Sequence, residues 1–404
     1  MDEENSRRLA GLVSGAVWSD LGGDGYPELI LASEWGPVRI FRNERGKLVS
    51  WDAPVTLNHQ RSTLNQLTGW WNAVTTGDID GDGKLDIIAS NWGLNSSYQP
   101  SPEHPIYLYY GDFAERGTVD LIEAEFDPLG KCIAPRRMRA AVSMALPDLP
   151  ERFPTHKEFS EACIENVLGP QRSKAHELQV NTLASMLFLN RGDHFDAVPL
   201  PPEAQFAPAF SVNVADFDGD GREDVFLSQN FFATQPETPR LDAGRGLLLL
   251  GDGTGRLRAA PGEESGIKVY GEQRGAAFCD YDEDGRIDLV VTQNGAETRL
   301  YHNAGAKPGL RIRLKGPPGN PTGAGAQMRL QSGSWKGPVR EVHAGSGYWS
   351  QDSAVQVLGS PEPPTGIWVG WPGGQVTTSA VPEKAREICI DLSGKLELIR
   401  TSER

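Results

Sequence analysis

Short apolar runs broken by polar turns dominate the chain, and their spacing predicts strands rather than helices. Residues 11–57 read as four strands, Leu12–Trp18, Glu28–Ser33, Val38–Arg42 and Lys47–Trp51, with turns at an acidic loop, at Trp35-Gly-Pro37 and at Asn43-Glu-Arg-Gly46. The same rhythm returns at 211–260 as Ser211–Ala215, Asp224–Ser228, Gly246–Leu250 and Arg256–Ala260, and again from Ala276 through Asp288–Thr292 and Thr298–His302. Between these lie six runs, Trp71–Gly77, Leu85–Ser90, Ile106–Tyr110, Leu121–Phe126, Leu183–Leu189 and Phe195–Pro199, whose grouping the pattern leaves open. Residues 128–181 differ, because Arg136–Ala145, His156–Leu168 and Ser173–Val180 combine helical spacing with good helix formers. They predict an insertion of two or three helices. Four-stranded units repeating at about 60 residues are the signature of an all-β propeller.

Acidic loops join first to second runs. Asp78-Ile-Asp80-Gly-Asp82-Gly83-Lys84-Leu-Asp86, Asp216-Phe-Asp218-Gly-Asp220-Gly221-Arg222-Glu-Asp224 and Asp280-Tyr-Asp282-Glu-Asp284-Gly285-Arg286-Ile-Asp288 place carboxylates at relative positions 1, 3, 5 and 9 and glycine at 6. That spacing suits a hard cation, since calcium takes about six to eight oxygens and a tight loop converges them only where the bend tolerates positive φ. The candidate ligands are the four aspartates of each loop by side chain and Lys84, Arg222 and Arg286 by backbone carbonyl. Asp20-Leu-Gly22-Gly-Asp24-Gly25-Tyr-Pro-Glu28 is a weakened copy, with Asp20, Asp24 and Glu28 as candidates. In Asp112-Phe-Ala-Glu-Arg116-Gly117-Thr-Val-Asp120 an arginine stands where a ligand belongs, and the loop reads as an acidic turn that binds nothing. An EF-hand is excluded, because its glutamate at position 12 is here Leu31, Ala89, Leu227 or Val291. Catalytic metals need an open coordination position and usually histidine, so these all-carboxylate loops read as structural.

Composition narrows the function classes. A net charge of −15 argues against nucleic acid, which calls for clustered lysine and arginine. With 46 glycines, 29 prolines and 23% charged residues, turns and short strands are favoured. Four cysteines, Cys132, Cys163, Cys279 and Cys389, are too few for a disulfide scaffold and read as buried free thiols, with a Cys132–Cys163 pair as the alternative. No run of 18 apolar residues occurs, so no membrane span is expected, and the first residues carry no leader-like apolar stretch.

Against this background the three full loops resemble FG-GAP/VCBS repeats, the calcium-bearing blades of integrin-α-like propellers. Asn320-Pro-Thr-Gly-Ala-Gly325, Arg340-Glu-Val-His-Ala-Gly345-Ser-Gly-Tyr-Trp-Ser-Gln351 and Trp368-Val-Gly-Trp371-Pro-Gly-Gly resemble the ASPIC/UnbV module. Together they resemble the cartilage acidic protein (CRTAC) family over nearly the whole chain. The resemblance implies an FG-GAP propeller over 1–307 with calcium in its loops, a small β-rich ASPIC/UnbV domain over 308–404, and an extracellular, periplasmic or cell-surface protein.

Strand parity then locates a second face. If successive strands run antiparallel, the acidic loops share one face with the third-to-fourth turns, and connections after second strands lie on the other. That other face collects Trp35, Asn91, Trp92, Asn230 and Phe231, plus Trp70, Trp71 and Arg274 just before first strands. Indole planes and amides suit sugars or extended peptides. The expectation is a non-catalytic module for a protein or carbohydrate ligand, with a corner-plugging role for the tryptophans as the plainer reading. The alternative is an enzyme of natural-product (UnbV/enediyne-type) biosynthesis with a small-molecule site under the helical lid, favoured if Arg274 and Glu272 are buried in a pocket. Arg191-Gly-Asp193 reads as turn chemistry, Asn95-Ser-Ser97 as a chance sequon, and His343, Ser350 and Asp352 as an improbable triad lacking any nucleophile context.

Overall fold

The computed structural model describes residues 11–345 and 347–401. Its sheets resolve the repeats into four blades of a propeller-like arc, an insertion and a C-terminal unit. Blade 1 runs Leu12–Ser19, Glu28–Pro37, Arg39–Glu44 and Lys47–Trp51 from axis to rim. Blade 2 is Ala73–Gly77, Asp86–Ser90, Met186–Asn190 and Phe195–Pro199, and a hairpin, Pro54–Leu57 with Gln60–Thr63, adds parallel to its outer strand. Blade 3 is Ala209–Ala215, Asp224–Gln229, Leu247–Gly251 and Leu257–Ala259, and blade 4 is Glu272–Cys279, Asp288–Asn294 and Arg299–Tyr301. First and second strands are apolar on both faces because each blade is sandwiched by its neighbours. Thus Ile30, Ile87 and Phe188 pack between blades 1 and 2, Val214 and Leu227 between 2 and 3, and Phe226 and Phe278 between 3 and 4.

The six ambiguous runs separate by pairing. Four complete blade 2, while Ile106–Gly111 and Asp120–Asp127 leave the propeller and pair with Cys132–Pro135 and His176–Val180 in the inserted segment. That segment lies between Ser90 and Met186, longer than the helical stretch expected at 128–181, and it contains a sheet. Helices Arg139–Ala145, Leu149–Arg152, His156–Ser160 and Ile164–Leu168 bury Val142, Leu149, Phe159 and Val167 against Tyr109 and Ile122 of that sheet. Ser173–Val180 does not continue as a helix; His176–Val180 is a strand, because the open edge of Ile106–Gly111 satisfies its backbone better than another helical turn would. Cys132 and Cys163 are bonded, which corrects the free-thiol expectation for this pair: Cys132 opens the strand Cys132–Pro135 beside Cys163, the cap of helix Ile164–Leu168, Cα–Cα 5.9 Å. Reducing this bond should cost the insertion about 3–4 kcal/mol through the entropy of the 31-residue loop it closes. Urea unfolding with and without dithiothreitol, against Cys132→Ser, checks it.

Residues 310–401 build two further sheets around Leu310, Met328, Leu330, Ile367, Trp371 and Ile388. Beyond Val342 the chain leaves this unit, and residues 347–353 run along the first strands of all four blades. Gly347 bridges to Val74 and lies against Gly15, and Asp352 accepts from Asn213 Nδ2 and Phe278 N at 3.0 Å each. The tail therefore occupies the axis that the blades surround. Among the described residues no helix is long and apolar enough to cross a membrane.

Candidate functional site

Three acidic loops gather carboxylates as their spacing requires. Asp78, Asp80 and Asp86 present ligand oxygens within 4.8 Å of one another, as do Asp216, Asp218 and Asp224, and Asp280, Asp282 and Asp288. The turn depends on the position-6 glycine: Gly83, Gly221 and Gly285 sit at φ 92°, 88° and 87°, where a side chain is strained. Position 1 is held by the loop itself, Asp216 accepting from Gly219, Asp220 and Gly221 N, while Asp86 and Asp224 at position 9 accept from the following turn at Asn190 N and Gly251 N.

Burial makes these carboxylates costly as anions. It pushes Asp78 up to about 7, with Glu223 adding to the rise, and Asp86 to about 8. Asp216 is likewise pushed to about 7 and Asp224 well above the carboxylate range, chiefly by burial. Asp78 Oδ1 is buried without any hydrogen-bond partner. A divalent cation would satisfy that oxygen and offset the desolvation, so the donor set fits a hard metal.

Position 5 is also engaged within each loop, and in the third loop Asp284 groups with Asp282 and His302, their ligand atoms within 4.8 Å of one another. Asp82, Asp220 and Asp284 accept from the position-7 backbone N–H and pair with the Lys84, Arg222 and Arg286 side chains. The Asp20 loop forms no such cluster among the described residues, because Gly22 contributes no oxygen; Asp20 accepts from Asp24 and Gly25 N, and Glu28, lifted to about 7 by burial, accepts from Leu21 and Gly22 N. The Asp112 loop lies in the inserted sheet, where Arg116 bonds Asp120 at 2.8 Å in the place of a cation.

The C-terminal unit covers this face, a contact no local pattern announced. Val339 N donates to Asp78 Oδ2 at 2.8 Å, Glu341 accepts from Asp20 N, Arg311 pairs with Asp280, and Arg340 grips Glu223 with both side chains buried. Arg191 of the Arg-Gly-Asp turn bonds Asp80 at 2.6 Å and Asp196 at 2.9 Å, confirming that third-to-fourth turns sit beside the acidic loops. His343, Ser350 and Asp352 do not converge: His343 contacts Glu341 and Thr76, Ser350 donates to Tyr348 O, and Asp352 serves blades 3 and 4.

At the other end of the blades lies a cavity of about 660 Å³. It draws Trp35, Trp70, Trp92, Phe231 and Arg274 together, as parity requires. Trp70 is the hub, with ring centroids 5.1 Å from Trp35, 5.3 Å from Trp92 and 4.7 Å from Tyr98, each edge to face. The indole N–H groups of Trp70 and Trp92 are buried and unpartnered. Trp35 holds φ 53°, uncommon for a bulky residue.

Three expected members are absent from the cavity. Trp71 is fully buried between blades 1 and 2, its indole donating to Leu67 O, because Ala73–Gly77 alternates inward from that point. Asn91 bonds Trp70 N, Trp92 N, Thr182 O and Ala184 O, clipping together the two ends of the insertion. Asn230 closes the 230–244 loop the same way through Gly244 N and O. Glu34, which parity placed on this face beside Trp35, also lines the cavity, whereas sequence reasoning missed Tyr98, Phe210, Arg240 and Tyr348. Tyr348 was not legible, since it arrives with the axial tail.

The profile of the FG-GAP-like repeat family matches residues 20–89, a span holding the first two acidic loops. Cartilage acidic protein 1 of Xenopus tropicalis is 25% identical over 326 residues, covering 78% of this chain and 40% of that protein, so the chain spans less than half the length of that relative. Among solved structures, the crystal structure of BBS1N in complex with ARL6DN, soaked with lead, aligns over 94% of this chain and 96% of that one at 8% identity, with a TM-score of 0.26 that carries no argument.

Proposed function

We propose that the protein is a calcium-binding propeller acting as a non-catalytic recognition module on an extracytoplasmic protein. Calcium would sit in the Asp78, Asp216 and Asp280 loops, held by their position 1, 3 and 9 carboxylates, and would fix the face on which the C-terminal unit rests. That unit, from about residue 308, is read as the ASPIC/UnbV domain. The ligand would bind at the opposite end.

The observation that carries this reading is the aromatic cavity, whose walls come from three different blades and the insertion. Inter-blade corners that needed only plugging would close; here the indoles line a half-open cavity of ligand size. The strained backbone of Trp35 at its wall is the kind of outlier that functional sites retain.

The enzyme alternative gains from one feature. Arg274 and Glu272 pair at 2.6 Å with side chains only 15% and 10% exposed, and the surface is concave rather than flat. Both groups are nevertheless engaged, Arg274 on Asn230 O and over the Phe210 ring, Glu272 on Phe232 N. They hold the loop.

A screen of glycans, peptides and small molecules by tryptophan fluorescence separates the two. The recognition reading expects a ligand that is recovered chemically unchanged and that Trp92→Ala binds at least about ten-fold more weakly. Turnover of the retained compound would overturn it.

A further inference from the structure

The sugar expectation rested on amides beside the indoles, and the structure spends those amides elsewhere. Asn91 and Asn230 are consumed by their loops, Asn72 donates to Ala209 O, and Asn95 donates to Phe206 O. What the cavity offers instead is aromatic surface and charge.

Most of that charge is already matched. Arg137 bonds Glu123 at 2.9 Å and reaches Glu237 at 3.6 Å, and Arg274 bonds Glu272 at 2.6 Å. Arg240 packs over Phe232, its guanidinium carbon 5.0 Å from the ring centroid. Glu34 has no hydrogen-bond or ion-pair partner among the described residues. Among the described residues, of the lining carboxylates, Glu34 and Glu123, only Glu34 lacks a cationic partner, and of the lining guanidiniums, Arg137, Arg240 and Arg274, only Arg240 lacks a carboxylate. Glu34 is exposed on the cavity wall, and partial desolvation there holds its carboxyl above its ordinary range, which a neighbouring cation would oppose.

The rings around it already attract cations wherever the protein supplies one. Arg274 lies 3.9 Å from the Phe210 centroid and Arg136 3.8 Å from that of Tyr98. No arginine or lysine stacks on Trp35, Trp70 or Trp92 among the described cation–ring contacts. Tryptophan is the strongest ring for such contacts, and an enclosed site enhances them.

We propose that this cavity recognises an organic ammonium cation, with Glu34 as its counter-charge and the indoles of Trp35, Trp70 and Trp92 as its aromatic wall. This rests on the cavity being the ligand site. A compact ammonium needs no directional hydrogen bonds, which accords with a wall whose amides are occupied. A neutral sugar would find the amides beside the indoles already occupied.

Choline and its neutral isostere 3,3-dimethylbutan-1-ol are the probes, titrated into the full chain in calcium and read by calorimetry and tryptophan fluorescence. The expected result is choline binding at least about ten-fold tighter than the isostere. Glu34→Gln should weaken choline about ten-fold, leave the isostere unchanged and leave the melting temperature unchanged, since Glu34 ties down no other group. Trp92→Ala should weaken both probes. Equal affinity for choline and the isostere, no choline binding at all, or full choline affinity in Glu34→Gln would each overturn the cation assignment. In those cases a neutral compound from the screen that still loses binding in Trp92→Ala keeps the cavity as the ligand site. If no compound loses binding in Trp92→Ala, the recognition reading fails with it.

Discussion

Chelation with excess EGTA is expected to lower the melting temperature by about 10 °C. Each ion bound at a hundred-fold excess over its dissociation constant stabilises the fold by about 2.7 kcal/mol, and three loops together supply about 8 kcal/mol. Unfolding entropy for a chain of 404 residues is about 0.8 kcal/mol/K, which converts that sum to about 10 °C. The direction follows from the orphaned Asp78 Oδ1 and from carboxyls that burial lifts to about 7 and 8 at Asp78 and Asp86. Asp78→Asn should remove about a third of the effect, because it disables one loop and leaves two. A melting temperature indifferent to EGTA would sink calcium as a structural ion.

The second large effect is expected at Arg340. It is 4% exposed and grips Glu223, 1% exposed, across the boundary between blade 3 and the C-terminal unit. Arg340→Ala strands that carboxylate in the interior next to Asp216, and breaking such a buried pair costs about 3–5 kcal/mol. Urea titration of the variant should show that loss. Arg340→Met with Glu223→Leu should recover much of it, because the double variant removes both buried charges and keeps volume. A loss below about 1 kcal/mol in the single variant would mean that the ion pair does not hold the two units together.

Both effects lie on one face, and the proposed ligand site lies on the other. Residues 339–345 and 347–353 are the physical link: Val339 touches Asp78, Glu341 touches Asp20, Asp352 joins blades 3 and 4, and Tyr348 lines the cavity, its ring 5.4 Å from Phe210. In the sequence this stretch stood out as a tail motif and as an improbable triad of His343, Ser350 and Asp352, neither of which pointed to this role.

Local chemistry was legible because it is written at short range. The loops from Asp78, Asp216 and Asp280 fold as their spacing demands, since ligand convergence and a glycine at positive φ are properties of nine consecutive residues. Position 4 of the same loops was not read. Gly81 and Gly219 take φ 71° and 75°, and Glu283 accepts φ 63° in the third loop, where Arg311 and Arg313 stand 3.6 and 3.7 Å from its carboxylate. Strand parity correctly placed Trp35, Trp70, Trp92, Phe231 and Arg274 together, because alternation of direction in a meander is topological and needs no packing detail. Trp71 was misplaced since neighbouring residues of an extended chain face opposite ways, and only the register of blade 2 decides which faces in. Asn91 and Asn230 looked like ligand-binding amides until the long connections after their strands had to be closed.

By itself, then, the sequence determined the all-β class, the repeat, the acidic loops and the existence of two opposed faces, all of which follow from hydrogen bonding and side-chain alternation along a few residues. Tertiary structure alone decided which runs belong to blade 2, that Ser90 and Met186 flank an insertion with its own sheet, that Cys132 meets Cys163, and that the C-terminal unit covers the acidic loops while its tail fills the axis. Those outcomes depend on contacts between residues tens to hundreds of positions apart. The chain specifies such contacts only through the shape and burial of the surfaces that meet.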